Sequence, residues 1–186
     1  MPIAPLSRLL AGLRGSSANQ VVPQEIYGRV MAQARNSAFY TRYGFEDTVT
    51  GRFDMLALHM FLLSHRLANA DDPVSAELGQ QVFDIFTADT DRALREIGIG
   101  DTSVPKRKKA MIRGFYGQIS EFAEPLSSRD AKAMKSAIAN RFTTLQAGEV
   151  ERLTGYMFRA ADCLAATSPA EIGEARLSWP DPESEE

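Results

Sequence analysis

The segment Phe53 to Leu63, FDMLALHMFLL, is apolar on nearly every side of a helical wheel, with Phe53, Met55, Leu56, Leu58, Met60, Phe61, Leu62 and Leu63. A helix with one apolar stripe lies on a surface, whereas one that is apolar all round has to be enclosed by others. The run is far short of the ~20 residues that a membrane-spanning helix takes. The chain is therefore expected to build several helices around this one. His59 falls in its middle, flanked at helical spacing by Met55, Leu56, Leu62 and Leu63. A buried imidazole needs a hydrogen-bond partner.

The next helix offers one. Its apolar stripe is Leu78, Val82, Ile85, Phe86, Ala93 and Ile97, and Asp89 falls within that stripe. A carboxylate on a core face is costly unless paired. Pairing with His59, Arg52 or Arg113 would satisfy it and fix the register of the helices.

Helical spacing continues almost throughout. Pro23 opens a first helix carrying Ile26, Tyr27, Val30, Met31 and Ala34. A loop over 36–49 holds Phe39, Tyr40, Tyr43 and Phe45. The compact polar lead-in Asp47–Asp54 is expected to fold over the start of the second helix, about Thr50 to Leu67, with Thr48 or Thr50 as cap and Arg52 paired to a carboxylate. Ser75 is expected to cap a third helix that ends at Gly98 and Gly100. Pro105 starts a fourth that stops near Pro125, and Ser128 caps a fifth. Val150, Leu153, Met157, Ala161 and Leu164 mark a sixth, and Ser168-Pro169 begins a short seventh. No strand pattern or internal repeat interrupts the series. The expected fold is all-α, a single compact bundle of six to seven helices around a buried central helix. Its organisation is a flexible or amphipathic segment over 1–22, a helical domain over 23–167, and a short helix with an acidic, disordered tail over 168–186. A chain of 186 residues suits one such domain.

The chemistry-bearing signals are sparse. A net charge of −3 argues against nucleic acid as the partner of the whole fold, DNA included. The lone Cys163 excludes an internal disulfide and is expected to pack as a small hydrophobe. A glycine-rich phosphate loop, a Gly-x-Ser-x-Gly elbow and a Glu-x-x-His pair are all missing. No catalytic residue, metal ligand or cofactor is assigned. Asp91 with Arg95, and Arg92 with Glu96, form helix-face pairs. Lys106, Arg107, Lys108 and Lys109 fill a first helical turn, where the macrodipole disfavours cations. That choice suits an acidic or phosphate-bearing partner. Gly114 and Gly117 are spaced to let another backbone come close. Near the N-terminus Leu6, Leu9, Leu10 and Leu13, with Arg8 and Arg14, have the spacing of an amphipathic contact with a membrane surface or a partner.

The order and spacing of Phe39-Tyr40, Gly44, Asp47-Thr48, Gly51-Arg52-Phe53-Asp54, Leu58-His59, Leu94-Arg95-Glu96, Gly98, Gly100-Asp101 and Val104-Pro105-Lys106 resemble the ubiquinol–cytochrome c chaperone family, assembly factors of respiratory complex III. The resemblance spans roughly residues 23 to 120 and continues more weakly to about 165. It departs from the family where Gly-Val-Pro-Asp-Thr is expected: Gly44-Phe45-Glu46-Asp47-Thr48 lacks the proline, which loosens that turn. The resemblance implies a non-catalytic role without a cofactor, in which newly made cytochrome b is bound at the membrane face, with or without a small partner protein. It places the protein on the cytoplasmic side of the inner membrane in a bacterium, or on the matrix side in a mitochondrion. Asp47, Thr48, Arg52, Asp54, His59, Asp89, Arg95, Glu96 and Asp101 are then structural or motif polar groups. The aromatic loop Phe39, Tyr40, Tyr43 and Phe45 becomes an adaptable client surface. The basic turn becomes a contact with anionic lipid or the ribosome.

A second reading is a helical carrier of a lipid, quinone or haem. It predicts an internal tunnel of several hundred cubic ångströms, whereas a chaperone predicts a filled core with an exposed apolar or basic patch. A hydrolytic or metal enzyme would need ionisable residues clustered in a cleft.

Overall fold

A computed structural model describes residues 21–70 and 73–184. They form eight helices: α1 Val21–Ala34, α2 Ala38–Thr41, α3 Val49–Ala68, α4 Pro73–Glu96, α5 Val104–Ser127, α6 Ala131–Arg141, α7 Ala147–Ala166 and α8 Pro169–Gly173. No strand occurs among the described residues. The amphipathic reading of the N-terminus falls on residues 1–20, outside those described. As its composition requires, α3 is enclosed: α1, α4, α5 and α7 all pack on it. From Met55 to Leu63 all its residues but Leu56 are buried.

Several boundaries differ from expectation, each for a local reason. The aromatic stretch is not all loop, because Asn36 Oδ1 accepts from the Ala38 amide at 2.9 Å and starts the single turn of α2. Pro73 rather than Ser75 opens α4, and Ser75 lies buried inside it. Pro125 does not stop α5, which continues to Ser127. Ser128 closes α5, its amide bonding the Glu124 carbonyl at 2.9 Å. Asp130 caps α6 instead, accepting from the Ala133 amide at 2.9 Å. Both Gln146 with Glu149 and Ser168 with Glu171 form reciprocal capping boxes.

The polar lead-in to α3 folds as a tight turn despite its missing proline. Thr48 Oγ1 accepts from the Gly51 amide at 3.2 Å, and the Thr48 amide bonds the Glu46 carbonyl at 2.8 Å. Arg52 grips Asp47 through Nε at 2.6 Å and Nη2 at 3.1 Å. Two glycines make the turn possible. A Cβ on Gly51 would run into the Glu46 carbonyl, and Gly44, at φ +77°, turns its bare Cα toward the Glu149 carboxylate of α7.

His59 is fully buried, as its place in α3 demands, but its partner is not Asp89. Nδ1 lies 2.7 Å from the Met55 carbonyl and Nε2 lies 2.6 Å from Tyr156 Oη on α7. Since a carbonyl only accepts, Nδ1 carries the hydrogen. Burial holds the imidazole pKa down at about 4, against 6.5 for a free side chain. Neutral Nε2 therefore accepts from Tyr156, and the Tyr156 oxygen accepts from Gln33 Nε2 of α1 at 3.0 Å. Gln33 Nε2 also donates to the Pro180 carbonyl at 3.0 Å.

That last bond belongs to a segment expected to be disordered. The acidic tail instead packs onto the bundle through residue 184. Trp179 sets its ring against His59 at 5.2 Å, and Tyr43 Oη donates to the Pro182 carbonyl at 2.9 Å. Its main-chain carbonyls are what the bundle holds, and composition gives no sign of them.

Two outcomes follow. Gly51→Ala forces the Glu46 backbone to move and should cost about 2 kcal/mol or more, which lowers the melting temperature by about 4–8 °C for a domain of this size; scanning calorimetry measures it. His59 should make stability pH-dependent. With its folded pKa below the unfolded one, its contribution is complete above pH 6.5 and is lost as the pH falls towards 4, with a slope of up to about 1.4 kcal/mol per pH unit. Asp54, raised by burial to about 6, acts in the opposite sense. Urea unfolding of wild type and His59→Gln between pH 4 and 7 separates the two, since only the His59 slope disappears in the variant.

Candidate functional site

The apolar stripe of α4 outruns the core. Val82, Phe86 and Leu94 are buried, but Ala93 is exposed and Ile97 is 50% exposed. Around them an open groove of about 230 Å³ forms where four helices meet. Met31, Ala34 and Arg35 of α1 make one wall, and Val49, Arg52, Phe53 and Leu56 of α3 another. Asp89, Thr90, Ala93 and Leu94 of α4, Ile97 in the turn just past its end, and Met111 of α5 complete it. Val49 stands 57% exposed at the lip. Phe53 in the wall stacks on the buried Phe86 at 5.9 Å, so the apolar surface is backed by a packed ring.

Charged groups sit at the rim and are mostly engaged. Tyr27 Oη donates to Asp89 Oδ2 at 2.7 Å, and Arg92 pairs with the other carboxylate oxygen. Asp89 is thus tied to α1 and to its own helix, where a link to His59, Arg52 or Arg113 was expected. Burial and this carboxylate push the Tyr27 hydroxyl pKa up. Arg52 is held outward by Asp47, and this exposed pair keeps the Asp47 carboxyl below its usual range.

The motif residues at the far end of α4 build a corner. Arg95 Nε bonds Asp91 Oδ2 at 2.9 Å, and Arg95 also pairs with Asp101 across the turn at Gly98, whose φ is +81°. Arg92 lies 3.8 Å from Glu96. The basic turn of α5 follows. Lys106, Arg107 and Lys109 are exposed, while Lys108 reaches back to Asp91 at 3.6 Å.

A second concavity, polar and about 410 Å³, is lined by Asp54, Glu121, Asn140, Arg141 and Phe142. Arg141 donates to Glu121 at 2.9 Å and to the Gly114 carbonyl. The Gly114/Gly117 pair therefore receives this guanidinium rather than another backbone. A Cβ at Gly117 would lie 3.2 Å from Arg141 Nη1. Burial raises the Asp54 pKa to about 6, with Arg141 pulling the other way.

The aromatic segment, in contrast, offers little surface. Phe39 and Tyr43 are wholly buried and Phe45 nearly so, leaving Tyr40 half-buried. Phe39 packs edge-on to His59 and Tyr156, and Phe45 to Phe142. An aromatic loop serving as an adaptable client surface was expected here, and Phe39, Tyr43 and Phe45 are instead part of the core. Cys163 is half-buried on α7. Sequence reasoning missed Tyr156, Gln33 and Arg141 as polar anchors. Tyr156 sits in the apolar stripe of α7 between Leu153 and Met157, where an aromatic passes for ordinary core.

The family model described as ubiquinol–cytochrome C chaperone matches residues 41–179. Among solved structures, the crystal structure of the Cbp3 homolog from Brucella abortus superposes with a TM-score of 0.77 at 33% identity, covering 89% of this chain and 92% of that one. Comparison with curated proteins gives no match. The description of the family names a chaperone role. On the extent of the match over its helical core, this chain belongs to the ubiquinol–cytochrome c chaperone family.

Proposed function

We propose that the protein is an assembly chaperone for complex III that holds newly made cytochrome b through the groove between α1, α3, α4 and α5. The observation that carries this reading is the uncovered apolar end of α4, with Ile97 and Val49 exposed beside the packed Phe53 ring. An apolar patch with a polar rim is the usual mark of a protein-docking surface. A helical segment of a membrane subunit fits such a groove in the manner of an amphipathic helix laid into a cleft. Met31 and Met111 at its edges adapt to differing side chains. The carrier reading is less favoured. The apolar groove lies below the about 300–1,000 Å³ typical of pockets that enclose a small ligand. The larger concavity is open and lined by Asp54, Glu121, Asn140 and Arg141, and so does not suit an apolar ligand. Phe39, Tyr156 and Trp179 fill the space around His59.

The same proposal places the protein at the inner-membrane surface, cytoplasmic in a bacterium or matrix-side in a mitochondrion. Lys106, Arg107 and Lys109 are its contacts with anionic headgroups or the ribosome. No helix among the described residues is long and apolar enough to cross the membrane.

In a strain lacking the gene, reduced-minus-oxidised spectra of membranes should lose most of the complex III b-type signal, with other cytochromes intact. A plasmid-borne wild type should restore it. Ile97→Lys should fold normally by circular dichroism and restore the signal several-fold less well. Full rescue by Ile97→Lys removes the groove from the mechanism, and an unchanged spectrum in the deletion strain removes the assembly role in that host.

A further inference from the structure

The C-terminal strap is held in an unusual way. Four side chains, from α1, the segment after α2 and α7, each donate to one of its main-chain carbonyls. Gln33 reaches Pro180 at 3.0 Å, Tyr43 reaches Pro182 at 2.9 Å, Arg42 reaches Glu183 at 2.9 Å and Arg159 reaches Ser184 at 3.1 Å. The strap side chain that enters the bundle beside His59 is Trp179. Pro180 and Pro182 bring no N–H that would need a partner against an apolar wall, and their fixed φ lowers the cost of ordering the segment. Donors on carbonyls beside an aromatic slot are how folded domains take extended proline-containing peptides.

The resident fit is incomplete. Trp179 Nε1 is buried without a hydrogen-bond partner, and so is Arg159 Nε. Groups left in that state weaken whatever contact holds them. A segment that presents a ring without an N–H, or brings an acceptor to Arg159, would sit better than the chain's own strap. The carbonyls come from residues 180–184, past the 41–179 that match the family model. The cleft also shares no lining residue with the groove proposed for the client.

We propose that the cleft between α1, the α2–α3 connection and α7 is a binding site for an extended aromatic–proline segment of a partner chain. In the isolated protein the strap occupies it as a tethered competitor. Tethering gives the strap a local concentration in the millimolar range, so a partner segment gains the site when it binds more tightly or when the strap's anchor is weakened.

The test uses the full chain and a labelled peptide corresponding to residues 176–184, with binding read by fluorescence anisotropy. The peptide should bind Trp179→Ala at least tenfold more tightly than wild type, while the far-ultraviolet spectrum of the variant stays helical. Replacing both prolines of the peptide by alanine should remove most of that affinity. Trp179 is the one tryptophan of the chain. An unlabelled peptide carrying Trp179→Phe, added to wild type, should therefore shift the protein's tryptophan emission to the red with saturation. Three results overturn the proposal: no peptide binding to a folded Trp179→Ala, loss of helix in that variant, which would make the strap part of the core, or a concentration-dependent dimer whose tryptophan environment changes without peptide, which would make a second copy the occupant.

Discussion

The hydrogen-bond direction imposed on His59 organises the centre of the molecule. Nδ1 faces a carbonyl and must donate, so Nε2 must accept, and Tyr156 must donate to it. That leaves the Tyr156 oxygen to accept from Gln33, whose amide nitrogen also serves Pro180. One tautomer thus fixes the relation of α3, α1, α7 and the strap. Each hydrogen in the chain has a single place to go, and the low dielectric of the interior makes the alternatives expensive. A helix apolar on all sides has nothing in its own surface to fix its rotation. The imidazole supplies that, and the apolar residues around it supply the enclosure.

Around this rigid centre the described residues leave an apolar face uncovered. Three of the aromatic rings that looked available for a client are spent on the core, Phe39 against His59, Tyr43 against Tyr156 and Phe45 against Phe142. The free surface lies instead where α4 runs past its neighbours. The two are linked through α3, whose first turns wall the groove with Val49 and Phe53 and whose middle carries the imidazole. The glycine turn before α3 matters for the same reason. Gly51 lets the Glu46 carbonyl settle against the helix, and Gly44 lets the loop pass the Glu149 carboxylate, which sets where Val49 and Arg52 stand.

Much of this was legible in the residues. The enclosed helix followed from the all-round hydrophobicity of Phe53–Leu63, and the compact polar lead-in called for a threonine cap and a carboxylate partner for Arg52. The choice of Thr48 over Thr50, and of Asp47 as that partner, came only with the fold. The partner of His59 was not legible, because periodicity reports burial and says nothing about which of several polar groups arrives from 97 residues away. The strap was misjudged for a different reason. Prolines and acids resemble disorder by composition, but what holds the segment are main-chain carbonyls, which every residue possesses. The absent proline of the Asp47 turn likewise looked like a loss of rigidity. Glycine contact and a threonine cap achieve the same fixation by another route.

The strap also has a consequence in time. Its bonds join Pro180 to Gln33 and Pro182 to Tyr43, across separations of 147 and 139 residues. A chain made at about 5–20 residues per second needs on the order of ten seconds between synthesis of the first partner and synthesis of the second. Throughout that interval α1 and the Tyr43 cluster exist without their cover, and contacts of such long range are the slowest to close. The strap is therefore made well after the helices it covers, and it closes over a part of the fold that was synthesised long before it.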